Sequence, residues 1–271
     1  MPELPEVETT RQGILPHVKG RRIDALIVRE ARLRWPVPAD LPALLQAQTI
    51  LDVRRRGKYL LLETTKGTAL LHLGMSGSLR IVNTAEAPGR HDHIDIVLDD
   101  KNSLRLRDPR RFGALLWAGG APMLHPLLAD LGPEPLEPDF DGGYLHMACQ
   151  GRKVAIKNLL MNAHVVVGVG NIYANEALYL SGIHPGRPAG RISAARCERL
   201  ALAVKQVLAE AVSQGGTTLR DFLQSDGRPG YFQQQLKVYG RSGEDCFGCG
   251  KAIHEMRLGQ RSTFFCPHCQ R

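Results

Sequence analysis

The chain is 271 residues long, with 43% hydrophobic and 23% charged residues. That length suits one large or two ordinary folded domains with buried cores, and the composition excludes a disordered polypeptide. Lys and Arg number 35 against 27 Asp and Glu, so the net charge is +8 and the pI is near 9.4. This balance favours an anionic partner such as nucleic acid, although a basic surface without a specific partner gives the same composition.

The sequence has no apolar run of the roughly 18 to 20 residues that a membrane span needs, and its first residues lack the pattern of a signal peptide. We therefore expect a cytoplasmic protein that does not bind membranes. Because that compartment is reducing, the six cysteines are expected to bind metal or to remain free thiols. Cys149 and Cys197 have no partner at metal-ligand spacing and are expected to be thiols.

In chain order, the first predicted element is a helix, since Val7, Ile14 and Val18 recur at helical spacing before Gly20. From residue 22 to residue 117 the chain changes to short apolar runs separated by turn residues, which predicts a β domain. These runs are RIDALIV, YLLLE, TALLHLG, SLRIV, HIDIVL, SLRLR and ALLWA.

The second half is predicted to be helical and to follow a linker. The segment LGPEPLEPDFDGG is rich in Pro, Gly and acidic residues, as linkers are. Beyond it, KVAIKNLLMN, NIYANEALYL and ISAARCERLALAVKQVLAEAVSQGG have helical patterns, and TTLRDFLQSDGRPGYF is predicted to be a long loop. The predicted organisation is an N-terminal domain (1–131), a linker (132–150), a helical domain (151–236) and a C-terminal module (237–271).

The C-terminal module contains two Cys-x2-Cys pairs with 16 residues between them. Two intervening residues let both thiolates of a turn reach one tetrahedral ion, so this spacing predicts a structural zinc site. The predicted ligands are Cys246, Cys249, Cys266 and Cys269. Two disulfides or free thiols are the alternative. His254 and His268 could substitute as ligands, but with four well-spaced cysteines they are not expected to bind the metal.

Basic residues on this module are candidate contacts to a phosphate backbone. Lys251, Arg257 and Arg261 lie between the two cysteine pairs, where a β-hairpin would present them. The segment GVGN combines two glycines with Asn171 at a predicted helix start, where backbone N–H groups and an amide converge on phosphate. For any one of these residues, a solvated surface role is the alternative.

The N-terminus contains a candidate nucleophile. Removal of Met1 leaves Pro2 with a free α-amine, and such groups titrate near pH 7.7 to 8.0, so a fraction is unprotonated at neutral pH. Glu3, Glu6 and Glu8 surround it in sequence, and a neighbouring carboxyl can act as a general acid or base. Acidic residues in a first helical turn are the alternative explanation.

Nine strings, in this order, resemble bacterial formamidopyrimidine-DNA glycosylases over essentially the whole chain. They are MPELPEVET, RRRGKYLLLE, HLGMSGSLR, HDHIDIVL, DPRRFGALLW, GVGNIYANEAL, QGGTTLRDF, DGRPGYF and the terminal zinc module. The resemblance implies a multidomain α+β fold: an N-terminal β-sandwich with an N-terminal helix, a helix-two-turns-helix domain and a zinc-ribbon hairpin. It also implies one structural zinc ion and no catalytic metal.

The resemblance implies a catalytic role for four residues. Pro2 would attack C1′ of a damaged nucleoside, and Glu3 would protonate the opening sugar. Lys58 would assist and contact phosphate, and Arg261 would hold phosphate during the later elimination.

Since a nucleotide must leave the duplex to reach Pro2, the resemblance also implies an intercalating group, formed by Met75, Arg110 and Phe112. Core packing is the alternative for the two apolar members, Met75 and Phe112. Further DNA contacts are implied for His91, Arg110, Arg152, Asn171 and Tyr239, and contacts to the base for Glu6, Thr217 and Thr218.

The expected function is a monomeric base-excision enzyme that binds damaged double-stranded DNA, excises oxidised purines such as 8-oxoguanine and formamidopyrimidines, and cleaves the strand by β,δ-elimination. It would work on the bacterial nucleoid. One alternative is the related endonuclease VIII branch, which prefers oxidised pyrimidines but departs from ELPEVE after its first residues. The other is a nonenzymatic zinc-ribbon DNA-binding protein, which would leave PELPEVE, Lys58 and Arg261 without a role.

Overall fold

The computed structural model describes residues 2–215 and 236–271. The chain divides into two compact units, and the second unit begins at Asp130. Each unit has its own core and is described by itself below. In the part of the chain that the structure describes, no helix is long and apolar enough to cross a membrane.

The first unit is a sandwich of two antiparallel four-stranded sheets with a helix at its N-terminus. One sheet has the order β1-β6-β7-β5 and the other the order β2-β3-β4-β8. The helices are α1 (Leu4–Val18) and α2 (Leu41–Leu45). The strands are β1 (Ile23–Val28), β2 (Ile50–Arg56), β3 (Tyr59–Thr64), β4 (Gly67–His72), β5 (Ser78–Asn83), β6 (Asp92–Leu98), β7 (Asn102–Arg107) and β8 (Ala114–Gly119).

One apolar core joins the two sheets and α1. Ile94 and Leu104 from one sheet and Leu60 and Leu71 from the other are at most 2% exposed and belong to the same cluster, as does Ile14 of α1. Burial of each such side chain contributes about 1.5 to 3 kcal/mol. The predicted first helix is therefore confirmed, and its packing fixes the chain start against the sandwich.

The second unit contains four α-helices and a hairpin in its described residues. They are α3 (Gly142–Cys149), α4 (Ile156–Leu160), α5 (Asn171–Leu180), α6 (Ala194–Ser213), β9 (His254–Leu258) and β10 (Arg261–Phe265). The long helix α6 packs against both α3 and α5 through a buried face that includes Leu200, Val204 and Leu208. The helices predicted after residue 151 and the terminal hairpin are confirmed.

The expected linker differs from the structure, because α3 lies inside residues 132–150 and packs on α6. Its start is stabilised by Asp141, whose side chain accepts a hydrogen bond from the Tyr144 N–H at 2.7 Å. Leu145 and Cys149 are fully buried. The Pro and Gly content that suggested a linker belongs to the turns before this helix and to its first residues.

Candidate active site and nucleic-acid interface

The chain start is held at the N-terminus of α1. Pro2 is buried and directly precedes Glu3, the residue that caps the helix. The Glu3 N–H donates a hydrogen bond to Glu6 Oε2 at 2.8 Å, as in a capping box. Both carboxyl groups are at most 2% exposed. Pro2 and Glu3 are therefore fixed by a helix end rather than by a free tail.

Glu8 connects this helix to the turn that carries Lys58. Glu8 Oε1 accepts a 2.7 Å hydrogen bond from Arg11, and Glu8 Oε2 accepts one from Arg55 Nε at 3.0 Å. Arg55 in turn donates to the Gly57 carbonyl at 3.2 Å, in the two-residue turn between β2 and β3. Burial alone would raise the pKa of Glu8, but the hydrogen bond and charge of Arg11 and the charge of Arg55 lower it. The carboxylate is thus ionised at neutral pH and links α1 to the Lys58 turn.

The candidate intercalating residues lie exposed in two loops, one between β4 and β5 and the other between β7 and β8. Met75 is 36% exposed and Phe112 is 39% exposed, although both are apolar. The Arg110 guanidinium lies over the Phe112 ring, 4.8 Å from its centroid. Exposure of this kind argues against core packing for Met75 and Phe112 and fits a wedge that enters a base step.

A buried carboxylate, Asp108, joins the two loops that carry these residues. Asp108 Oδ1 accepts from the Ser76 hydroxyl at 3.0 Å, and Asp108 Oδ2 accepts from the Gly113 N–H at 2.7 Å. The Ser76 hydroxyl oxygen also accepts the Arg110 N–H at 3.2 Å. A side chain at Gly74 would lie 2.4 Å from the Phe112 main chain, and Gly74 has φ +63°, so only glycine permits this approach. The two loops therefore form one rigid wedge.

His91 and His93 contact the main chain of the same residue, Asp108. The Asp108 N–H donates to the His91 carbonyl at 3.0 Å, and the His93 ring Nε2 lies 2.9 Å from the Asp108 carbonyl oxygen. The His91 and His93 rings meet edge to face with centroids 6.2 Å apart. The predicted phosphate contact His91 is thereby placed next to the Arg110 loop within the first unit.

In the second unit, Arg261 follows the tip of the β9–β10 hairpin. Gly259 and Gln260 form the two-residue turn, and both have positive φ, as a type I′ hairpin requires. The Arg261 side chain is exposed and forms no hydrogen bond or ion pair with the residues that the structure describes. A guanidinium without a carboxylate partner is available to an anion.

The hairpin is fixed to the start of α5 through the Ser262 carbonyl. This oxygen accepts hydrogen bonds from Asn171 Nδ2 and from Lys157 Nζ, each at 3.0 Å. Lys157 is fully buried and also donates to the Thr263 hydroxyl at 2.6 Å. The structure therefore brings two of the predicted phosphate contacts, Asn171 and Arg261, to neighbouring positions.

Glu176 of α5 positions the segment that contains Tyr239. Its carboxylate accepts backbone hydrogen bonds from Lys237, Val238 and Tyr239 at 2.8, 3.0 and 2.9 Å. Burial raises the pKa of Glu176, while these hydrogen bonds act in the opposite direction. The Tyr239 ring packs edge to face on Phe264, with the ring centroids 5.1 Å apart.

The predicted DNA contact Arg152 lies on the surface, and its carbonyl accepts the Gly190 N–H at 2.8 Å.

The four predicted metal ligands converge. The Sγ atoms of Cys246, Cys249, Cys266 and Cys269 all lie within 4.8 Å of one another. Two of the separations are 3.9 Å and 3.5 Å, close to the ~3.8 Å between sulfurs around a tetrahedral zinc ion. The donor set and geometry fit one structural zinc ion, which would join the two ends of the hairpin module. His254 and His268 are not part of the cluster.

Some predicted residues stay predictions. Thr217, Thr218 and the loop around them lie outside the described residues. Glu6, predicted to reach the base edge, is buried and hydrogen bonded to the Glu3 N–H. Sequence reasoning did not assign roles to Asp108, Lys157 and Glu176, since a single charged residue in an apolar pattern gives no sign of its partner.

Family models match the chain along most of its length. They are the formamidopyrimidine-DNA glycosylase N-terminal domain at residues 1–115, the H2TH domain of these glycosylases at residues 131–223, and a zinc finger found in FPG and IleRS at residues 243–271. The zinc finger match agrees with the convergent cysteines, and the β-sandwich, helical domain and zinc module expected from the sequence are confirmed.

Full-length relatives give the same result. The chain is 61% identical to a formamidopyrimidine-DNA glycosylase of Thioalkalivibrio sulfidiphilus, with all of both chains covered. It resembles a solved Lactococcus lactis FPG variant in complex with Fapy-dG-containing DNA, with a TM-score of 0.93, 31% identity and full coverage of both chains. It also resembles Lactococcus lactis Fpg bound to DNA with an abasic site, with a TM-score of 0.92, 32% identity and 99% of both chains covered. The chain belongs to the formamidopyrimidine-DNA glycosylase family.

Proposed function

We propose that the protein is a bifunctional DNA glycosylase and abasic-site lyase of base excision repair that removes oxidised purines, chiefly formamidopyrimidines and 8-oxoguanine. This function is supported by the 61% sequence identity, over the full length, to a formamidopyrimidine-DNA glycosylase. It is also supported by the burial of Pro2 at the start of α1. The solved relatives bound to Fapy-dG DNA and to abasic DNA support both activities.

The proposed nucleophile is the secondary amine of Pro2 after removal of Met1. Its nitrogen attacks C1′, the bond to the damaged base breaks, and the sugar ring opens as Glu3 protonates its oxygen. The product is an iminium at C1′, which acidifies the C2′ proton. Loss of that proton breaks the bond to the 3′ phosphate, and a second elimination breaks the bond to the 5′ phosphate. One covalent intermediate thus serves both base removal and strand cleavage.

The target nucleotide has to leave the duplex, at a cost of a few kcal/mol. We propose that Met75 and Phe112 fill the space it leaves and that Arg110 contacts the unpaired partner strand. Their exposure and their rigid attachment to Asp108 support this role. His91, Lys58, Arg152, Asn171, Tyr239 and Arg261 are proposed to hold the phosphates around the extruded nucleotide.

A lesion panel tests the substrate class. The protein is incubated with duplexes that contain formamidopyrimidine, 8-oxoguanine or thymine glycol, and both base release and strand nicking are measured. We expect faster excision of both purine lesions, with termini that carry phosphate on each side of the gap. A clear preference for thymine glycol would contradict the purine assignment, and binding without excision or nicking would contradict the enzymatic function.

We further propose that the protein acts as a monomer on nucleoid DNA in the bacterial cytoplasm. A single chain contains every residue proposed for the reaction. Sedimentation of the protein on lesion DNA is expected to give one chain per lesion, and a stoichiometry of two would contradict this proposal.

A further inference from the structure

A second basic site lies in the second unit, where the connection between α5 and α6 meets the last residues of the chain. A cavity of about 380 Å³ is lined there by His184, Arg187, Arg191, Gln270 and Arg271, among others. None of these residues belongs to the proposed catalytic group or to the predicted DNA contacts. The cavity therefore needs an explanation of its own.

The described residues that line this cavity include no carboxylate side chain, and the main-chain oxygen of Arg271 is already contacted by Arg196. The side chains of Arg187, Arg191 and Arg271 form no hydrogen bond or ion pair with any residue that the structure describes. Several other arginines are paired with carboxylates, as with Arg55 and Glu8 or Arg105 and Asp95. Guanidinium groups that share a cavity without a carboxylate partner are suited to bind an oxyanion.

His184 adds a neutral donor to the same cavity. Its Nδ1 accepts the Gly186 N–H at 3.2 Å, so the neutral ring has its hydrogen on Nε2. Burial and then the charge of Arg187 lower the pKa of His184, which keeps the ring neutral at pH 7. The ring packs edge to face on Phe265 at 4.6 Å, which fixes its orientation.

The floor of the cavity is tied to the zinc module. Gln270 is 2% exposed; its side chain donates to the Ile183 carbonyl at 2.9 Å and accepts the N–H of the zinc ligand Cys266 at 2.8 Å. The Arg271 N–H donates to the Gly182 carbonyl at 3.2 Å, and Arg196 donates to the Arg271 main-chain oxygen. These bonds fix Gln270 and the main chain of Arg271 around the recess, and the side chains of Arg191 and Arg271 are exposed at its surface.

We infer that this cavity binds a phosphate group of the DNA backbone outside the lesion, with Arg187, Arg191 and Arg271 as its cationic contacts. DNA is favoured over a free anion because the main chain of Arg152, a proposed DNA contact, is hydrogen bonded to Gly190, between Arg187 and Arg191 in sequence. The cavity thus adjoins the proposed DNA surface within the same unit. The inference rests on the proposed function, since it takes DNA as the partner.

The salt dependence of DNA binding tests this inference. Dissociation constants are measured against KCl concentration for duplexes with a tetrahydrofuran abasic analogue, one short and one extended on both sides. The test variant is R187A/R191A, whose side chains have no hydrogen-bond or ion-pair partner among residues 2–215 and 236–271. The control variant is R199A/K66A, which removes the same charge at exposed positions that do not line the cavity. Thermal unfolding checks that both variants remain folded.

For the extended duplex, the slope of log affinity against log salt is expected to be shallower by about 1 in R187A/R191A than in the wild-type protein. The short duplex and the control variant should retain the wild-type slope. Equal slopes for R187A/R191A and wild type on the extended duplex would overturn the inference. An equal loss in the control variant would also overturn it, because the effect would then be general charge.

Titration with inorganic phosphate separates a DNA phosphate from a free one. If R187A/R191A loses binding of inorganic phosphate while its DNA slopes are unchanged, the cavity is a small-anion site and the inference is wrong. Excision of a formamidopyrimidine is measured on the same samples. Absence of excision by the wild-type protein would contradict the proposed function, whereas normal excision with unchanged slopes would contradict the cavity assignment alone.

Discussion

At the scale of single residues, the contacts of Glu8 give a prediction about catalysis. Glu8 bridges Arg11 and Arg55, and Arg55 holds the Gly57 carbonyl next to Lys58. In Glu8→Gln the charge is lost, and an amide N–H replaces one acceptor. We expect single-turnover lyase rates to fall by about tenfold, the equivalent of 1.4 kcal/mol, because the Lys58 turn shifts relative to α1.

Glu63→Gln is the matched control, since Glu63 forms an ion pair with Arg54 at 3.1 Å on the neighbouring strand. The Arg54 side chain is 65% exposed, so this pair contributes little. Equal rates in both variants would show that Glu8 does not position the Lys58 turn.

His72 gives a prediction about stability and pH. Burial, followed by the charges of Lys58 and Arg34, lowers the pKa of His72 to about 4 from an ordinary 6.5. Between these values the unfolded chain binds a proton that the folded chain does not, so the free energy of unfolding falls as pH falls from 6.5 to 4. The full shift corresponds to about 3 kcal/mol.

We test this with His72→Asn, whose Oδ1 can accept the Gly74 N–H that His72 Nδ1 accepts at 3.0 Å. Urea unfolding of both proteins is measured between pH 4 and pH 7. The stability difference between wild type and variant should move in favour of the variant as the pH decreases through this window. A difference that stays constant with pH would contradict a buried neutral His72.

At the scale of elements, Asp108 is predicted to organise the wedge. Asp108→Asn places an amide N–H against the Ser76 hydroxyl or the Gly113 N–H, both of which donate to the carboxylate. A buried donor left without an acceptor costs about 1 to 3 kcal/mol. We expect excision from duplex DNA to slow by tenfold or more, because the Met75 and Phe112 loops no longer hold one geometry.

Single-stranded abasic DNA separates a wedge defect from general damage, since no base has to leave a duplex there. Asp108→Asn should retain most of its lyase activity on this substrate. Equal losses on single-stranded and duplex DNA would contradict a role in nucleotide extrusion. Ser103→Ala on β7 is a matched control, because the Ser103 hydroxyl is buried and has no hydrogen-bond partner among the described residues.

Most elements of the fold could be predicted from the sequence, because apolar spacing sets which face is buried. The first helix and seven of the strands of the sandwich follow from such patterns. Strand β2 was missed since ILDVRRR ends in three arginines, and only Ile50 and Val53 are buried there. Helix α2 is five residues long and begins next to a proline, which sequence reasoning assigns to a loop.

The candidate site was predicted unevenly, for physical reasons. Short-range motifs such as the cysteine pairs were sufficient, because the spacing itself determines which atoms converge. The partners of Asp108 and Lys157 are 32 and more than 100 residues away in sequence, so no local pattern reveals them. These buried partners fix loop positions, which is why the contacts predicted through family resemblance needed a structure to show how they are held.

At the scale of the whole molecule, zinc is expected to stabilise the second unit more than the first. The four cysteines join the ends of a module with a small apolar core of its own, built around Val238, Ile253 and Phe264. Removal of zinc should therefore unfold residues 243–271, and with them the Arg261 hairpin. The sandwich has a separate core and should remain folded.

Hydrogen exchange before and after chelation measures this effect, with zinc content followed by mass spectrometry. Protection should disappear in β9 and β10 and persist in β3, β4, β6 and β7. DNA binding should be lost at the same time and should return when zinc is restored. Unchanged protection in the hairpin after complete removal of zinc would contradict a structural metal.

The central claim is that the amine of Pro2 forms the covalent intermediate. The most direct measurement is borohydride reduction during reaction with formamidopyrimidine DNA, followed by mass spectrometry of the trapped N-terminal peptide. We expect one adduct per chain, located on Pro2, in protein that has lost Met1, and no adduct on protein that retains Met1. An adduct located on a lysine, or equal trapping of chains that retain Met1, would contradict the account.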